Sequence, residues 1–231
     1  MGFIVKLLTN FMEIINSGVF KVVTNKPLGY LLDIAIFTAV IRFLILPLTI
    51  SQTRSTIKMG KIQPKLKKLQ EKYKNDPQKL QQAQMELYKE EGVNPFAGCL
   101  PLLIQFPIFI AMYQVILNFQ PLKEVPFFLM RGSFGALFRG DINQILILLL
   151  ALSSGATTYI SGLIMSPKGD DQAAQTQKKM NIYMSLLFMY MSYTFNVGIV
   201  LYWIIGNLIQ MGQQYFIINK IKHNEEEKLA E

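Results

Sequence analysis

The sequence predicts an all-α polytopic membrane protein, with five transmembrane helices, an N-terminal interfacial amphipathic helix and a cytoplasmic helical hairpin. Three observations carry that expectation. Of 231 residues, 51% are apolar and 16% are charged, a balance displaced from that of ordinary soluble domains. Apolar stretches with very few charges recur at about 20 residues, the length a helix needs to cross hydrocarbon at roughly 1.5 Å per residue. The basic residues gather in alternate connections, as they do on the cytoplasmic side of a membrane.

Residues 1–27 place Ile4, Leu7, Leu8, Phe11, Ile14, Ile15 and Val19 at helical spacing, with Lys6, Asn10, Glu13 and Lys21 between them. That pattern reads as a helix lying in the extracytoplasmic interface. An unbroken apolar run with an Ala-x-Ala type site, the mark of a cleaved signal, is not present.

The first span is read over 28–50, the second over 95–118 and the third over 142–165. The stretch Ile182 to Ile218 carries no charge and as one helix would be about 55 Å long, nearly twice the hydrocarbon thickness. It must fold back, and Asn196-Val197-Gly198 supplies the turn-forming residues. The fourth and fifth spans are therefore 181–196 and 198–218, with connections at 119–141 and 166–180 and a tail at 219–231. Cys99, the sole cysteine, falls in the second span, so no intrachain disulfide is available.

The polar insert 51–94 carries Arg54, Lys58, Lys61, Lys65, Lys67, Lys68, Lys72, Lys74, Lys79 and Lys89. Lys168, Lys178 and Lys179 follow span three, and Lys220, Lys222 and Lys228 follow span five. Sixteen basic residues thus share one face, against six on the other (Lys6, Lys21, Lys26, Lys123, Arg131, Arg139). The rule of positive charge inside puts the N-terminus outside and the C-terminus in the cytoplasm. The insert pairs one arm carrying Ile57, Ile62, Leu66, Leu69 and Tyr73 with another carrying Leu80, Ala83, Leu87 and Tyr88. Asn75-Asp76-Pro77 is its turn, Gly92 closes the second arm, and Asn94-Pro95 starts span two. The lysines suit water and anionic lipid. With a net charge of +8 a ribosome is a further candidate partner, but no aromatic-basic module marks DNA binding.

Arg42 sits inside span one, where a guanidinium costs about 2.5–3.5 kcal/mol on insertion scales. Thr38 lies one turn before it, Thr49 two turns after, and Ala35 continues the line. Span five presents Trp203, Asn207, Gln210 and Gln214 on one face, and span two offers Gln105. Ser154, Thr157 and Ser161 in span three, and Asn181, Ser185 and Ser192 in span four, are ordinary material for hydrogen bonds between membrane helices. Asp33, the nearest acid on the same helix, is about 13 Å away along the axis. An arginine so placed can receive a carboxylate, which it binds bidentately when desolvated. Met180, Met184, Met189 and Met191 suit either core packing or a surface that accepts varied apolar partners.

Several separated motifs stand out along the chain: Ile41-Arg42-Phe43-Leu44-Ile45-Leu46-Pro47-Leu48, Met59, Ile62-Gln63-Pro64, Leu87-Tyr88, Asn94-Pro95, Gly98 to Gln105 with Pro107, then Leu201-Tyr202-Trp203, Asn207 and Gln213-Gln214. Together they resemble the YidC insertases and occur in that family's order. One departure is that Asn196-Val197 precede Gly198 where the family usually has a proline and a small residue. The resemblance implies a five-helix core with a hydrophilic groove open to cytoplasm and lipid. It assigns the groove arginine to Arg42, substrate contacts to Thr38 and Trp203, and a cavity position to Gln105. The hairpin corresponds to the family's mobile, substrate-recruiting loop. Nascent membrane proteins are the implied substrates and the Sec translocon an implied partner. No large extracytoplasmic domain or lipoprotein cysteine is expected, the form found in Gram-positive type bacteria, and the location is the plasma membrane.

Other classes lack their residues. No nucleotide-binding Gly-x4-Gly-Lys-Ser/Thr loop occurs, and His223 is the only histidine, so neither an ATPase nor a zinc protease is indicated, and no enzyme activity or cofactor is expected. An intramembrane serine protease lacks a base near its serine. An anion transporter built around Arg42 remains an alternative, although no inverted repeats are found. An assembly scaffold that holds partners without moving them shares every residue named above.

Overall fold

The computed structural model describes residues 2–92, 100–166 and 172–230. Nine α-helices follow one another in these residues: α1 (Gly2–Val19), α2 (Lys26–Leu44), α3 (Leu46–Lys72), α4 (Pro77–Glu90), α5 (Leu100–Asn118), α6 (Phe134–Phe138), α7 (Ile142–Met165), α8 (Gln172–Thr194) and α9 (Val197–Ala230). Two 3₁₀ turns, Gln120–Glu124 and Pro126–Leu129, lie between α5 and α6. Among the described residues there is no strand. Asn94, Pro95, Gly98, Cys99 and Lys168 lie outside the described residues.

Side-chain caps start four of these helices. Asn25 accepts from the Leu28 amide (3.0 Å), Asp76 from Lys79 (3.1 Å), Asp141 from Asn143 (2.9 Å) and Asn196 from Ile199 (3.2 Å). Each takes up an amide the first turn would leave orphaned. Asp76-Pro77 therefore turns the hairpin as its sequence indicates, and Gly92, at φ +60°, closes it. Asn196 likewise separates α8 from α9.

The helix expected to run to Ile50 ends at Leu44, and Leu46 to Ile50 open α3 instead. Pro47 is the reason, since it lacks the N–H that the Phe43 carbonyl needs to continue the helix. The first hairpin arm is thus one rod with the residues just below Arg42. Two other segments read as connection or tail are helical: α8 begins at Gln172, and α9 continues to Ala230, about 51 Å in all.

Among the described residues two helices, Lys26–Leu44 and Ile142–Ile164, are long and apolar enough to cross a membrane, and Gln105–Asn118 is a shorter apolar helix. Their apolar side chains are in part exposed, Leu149, Leu152 and Ile160 of α7 among them, as lipid-facing residues would be.

The main core gathers Met12, Ile34, Phe37, Met112, Ile116, Phe119, Leu122, Phe128, Tyr193 and Ile199. It joins α1, α2, α5 and the α8–α9 turn. The connection after α5 closes this end of the bundle. Glu124 takes the Lys26 ammonium (3.0 Å) and the Tyr30 hydroxyl (2.9 Å), the Gly132 amide donates to the Tyr193 carbonyl (2.8 Å), and the Val197 amide donates to Met130 (3.0 Å).

α1 packs on the bundle through Phe11, whose ring is 5.5 Å from that of Phe37, and through buried Met12. It leaves Phe3, Ile4, Leu7 and Ile14 exposed. α7 and α8 approach closely, with Gly155 against Met189 and Gly162 against Asn181. The Ser192 hydroxyl donates to that of Ser154 (2.7 Å), and Asn181 Nδ2 donates to the Tyr159 carbonyl (3.0 Å). These small polar residues join the helices by hydrogen bonds, as membrane bundles do. A separate apolar cluster of Ile62, Leu66 and Leu87 clamps α3 to α4.

Candidate functional site

Arg42 lies in the last turn of α2, next to the break made by Pro47, and is 9% exposed. Its Nη1 donates to Gln210 Oε1 of α9 at 2.9 Å. A Cβ on Gly206, one turn earlier on α9, would stand 3.0 Å from Nη2. A glycine here lets the guanidinium lie close against that helix without having to give way. Gln213 Nε2 donates to the Arg42 carbonyl at 3.2 Å, so α9 holds both ends of the residue. The Tyr202 hydroxyl is close enough to act electrostatically on Arg42 and is hydrogen-bonded to Gln105. Among the described residues Arg42 makes no ion pair. Among the described residues the side-chain hydrogen bond of this buried cation goes to a neutral carboxamide, and no carboxylate pairs with it.

Trp203 and Asn207 form a second node. Trp203 Nε1 donates to Thr158 Oγ1 at 2.9 Å, and Asn207 Nδ2 donates to Thr158 Oγ1 at 3.0 Å and Thr157 Oγ1 at 3.3 Å. The indole stacks on Phe188 with centroids 4.0 Å apart and meets Phe109 edge-on at 5.8 Å. Thr38 is fully buried, and its hydroxyl donates to the Ile34 carbonyl of its own helix at 2.6 Å.

Of the residues expected at the site, Arg42 and Gln210 meet directly and Gln105 joins them through Tyr202. Trp203 and Asn207 bind α7 instead, and Thr38 turns its hydroxyl to its own backbone. Tyr202, Gly206, Gln213 and Thr158 were not among those expected. Gly206 carried a usable signal: a small residue beside Asn207 marks where a helix can be approached closely. Polar burial continues past Arg42 in Thr49, Gln52 and Thr53 of α3 and Gln214 of α9.

Residues 21–226 match the family described as 60Kd inner membrane protein. The chain is 45% identical over 206 residues to the membrane protein insertase YidC of Clostridium tetani, covering 89% of each chain. It is 43% identical over 225 residues to that of Clostridium perfringens, covering 93% of this chain and 91% of the relative. The chain belongs to the YidC family. A crystal structure described as an active YidC insertase with the first transmembrane domain resolved has a TM-score of 0.65 at 28% identity. That match covers 91% of this chain and 46% of the solved one, so this chain spans just under half of that YidC structure. The resemblance carried by Ile41 to Leu48, Gly98 to Gln105 and Leu201 to Gln214 thus holds for the family, and the all-helical architecture agrees with it.

Proposed function

We propose that this chain inserts newly made membrane proteins into the bacterial plasma membrane through a polar intramembrane groove lined by Arg42, Thr38, Gln105, Trp203, Asn207 and Gln210. The observation that carries the reading is a buried arginine whose partner is a carboxamide. An incoming carboxylate exchanges a bond to a neutral group for an ion pair, which is the stronger interaction. A polar flank drawn toward Arg42 spends less of its path in hydrocarbon, where each unsatisfied polar group costs several kcal/mol. Partition of the substrate's own apolar helix drives the step.

In the topology that goes with this, five spans cross the membrane, α1 lies in the outer interface, and the α3–α4 hairpin and the C-terminal end of α9 lie in the cytoplasm. The exposed Phe3, Ile4, Leu7 and Ile14 of α1 support its interfacial place. The Sec translocon, the ribosome and anionic lipid are the partners this arrangement offers.

The scaffold reading has one observation in its favour: the guanidinium is nine-tenths buried and already engaged by Gln210, as a purely structural staple would be. Depletion of the resident insertase in a bacterium, with rescue by this chain or its Arg42→Ala variant, separates the two. Insertion of an acidic-flanked single-span reporter, read by protease protection, should be restored by the wild type and lost in Arg42→Ala at equal membrane levels. Equal rescue by both removes the role of Arg42, and rescue by neither favours the scaffold.

A further inference from the structure

We infer that Gln214 reads the peptide backbone of the substrate's polar flank, an inference that rests on the insertase reading above. Gln214 is fully buried, and neither its Nε2 nor its Oε1 has a hydrogen-bond partner among the described residues. Desolvating a carboxamide with no return is costly, and an apolar side chain of the same length would fill the place more cheaply. The other buried or half-buried amides of this helix each make at least one hydrogen bond, although Gln213 Oε1 is buried without a partner among the described residues. Asn207 donates to Thr157 and Thr158, Gln210 accepts from Arg42, and Gln213 donates to the Arg42 carbonyl. Gln214 lies one turn beyond Gln210 on the same face of α9.

The chemistry of the two residues is complementary. Arg42 offers donors only, so it can take a carboxylate or a carbonyl but cannot satisfy a peptide N–H. A carboxamide offers one acceptor and donors in a plane, the complement of a peptide unit. A polar flank moving through hydrocarbon presents both its N–H and its C=O unpaired. Gln214 supplies the acceptor that the arginine lacks, and it does so for any sequence, because every residue except proline carries the same pair.

The test uses the full chain in proteoliposomes with two single-span reporters, one with a neutral Ser/Asn flank and one with an acidic flank. Gln214→Met keeps length and flexibility but removes both hydrogen-bonding atoms. Its insertion should fall about tenfold, the worth of two net hydrogen bonds, for both flanks alike, with a thermal unfolding temperature at or above that of the wild type. Arg42→Ala should lose the acidic flank preferentially. Wild-type insertion with an equally active Gln214→Met overturns this inference alone. A Gln214→Met protein that unfolds earlier than the wild type also overturns it, because the amide then has a structural partner. A wild-type chain that inserts neither reporter overturns the insertase reading and this inference with it.

Discussion

Arg42→Met should leave the fold close to its original stability while abolishing insertion of acidic-flanked substrates. The guanidinium is 9% exposed, and removing it relieves about 2.5–3.5 kcal/mol of burial cost on insertion scales. Against that, the bond to Gln210 is charge-assisted and worth about 1.5–3 kcal/mol. Losing Arg42 also strands Gln210 Oε1, at about 1–3 kcal/mol. The single variant is therefore about 1 kcal/mol less stable than the wild type, with the three contributions taken near their middles. Arg42→Met combined with Gln210→Met removes the stranded acceptor and should recover about 2 kcal/mol. Unfolding in mixed micelles measures both proteins, and reporter insertion measures function in the same membranes. The reasoning is refuted if Arg42→Met is destabilised by more than about 4 kcal/mol and the double variant recovers nothing, which is the behaviour of a residue held for packing. It is refuted equally if Arg42→Met inserts acidic-flanked reporters at the wild-type rate.

Further outcomes follow from the geometry. Leu66→Ala should loosen the hairpin by about 2–4 kcal/mol, since Leu66 is 1% exposed against Ile62 and Leu87; removing the exposed Lys65 partner of Glu91 should leave hairpin hydrogen exchange unchanged. Gly162→Ala places a methyl on the Asn181 carboxamide and should cost about 1–3 kcal/mol, read as a lowered unfolding temperature. Ser154→Ala should cost about 0.6–1 kcal/mol by stranding the Ser192 hydroxyl, and Ser154→Ala with Ser192→Ala should regain most of it. Glu124 is held below the ordinary carboxylate range by Lys26 and by the Tyr30 hydroxyl. A depressed pKa gives a contact that is complete above the unfolded carboxylate pKa and fades as pH falls through the folded value. Spin labels on the Gln120–Glu124 turn and the start of α2 should separate only in that acid window, and Glu124→Gln should abolish the response.

The caps and turns were legible because a single residue decides each of them. Asp76-Pro77 and Asn196 carry their geometry in their own side chains, and the structure uses them as written. The end of α2 was hidden because Pro47 stands in an otherwise continuous apolar run. Composition sees a span there, whereas the missing N–H breaks the helix three residues after Arg42. Helical spacing put Trp203, Asn207 and Gln210 on one face, but spacing does not say what that face meets. Asn207 and Trp203 reach α7 while Gln210 reaches α2, a division set by tertiary packing alone. Gly206 is not assigned to the site by the sequence because it contributes only space, and Tyr202, part of the Leu201-Tyr202-Trp203 motif, is not assigned to it because it reads as an ordinary aromatic.

The buried acid and the buried base of α2 show what this packing achieves. Asp33 and Arg42 are nine residues apart, about 13 Å along the axis, too far for a direct ion pair. Each is instead met by a carboxamide from another helix: Asn16 Nδ2 of α1 donates to Asp33 Oδ2 at 2.6 Å, and Gln210 of α9 accepts from Arg42 at 2.9 Å. Had the acid stood one turn from the arginine, the pair would have neutralised itself, and an arriving carboxylate would have had to displace a charged partner. A carboxamide meets the guanidinium without cancelling its charge, which is the condition that the proposed exchange for a substrate carboxylate requires. The cost of keeping that charge is borne by α9, where Gly206 admits the guanidinium and Gln213 fixes the Arg42 carbonyl beside the Pro47 break. On the proposed topology α3 runs from that break into the cytoplasmic hairpin, which places the first hairpin arm on the helix that directly follows the turn carrying Arg42.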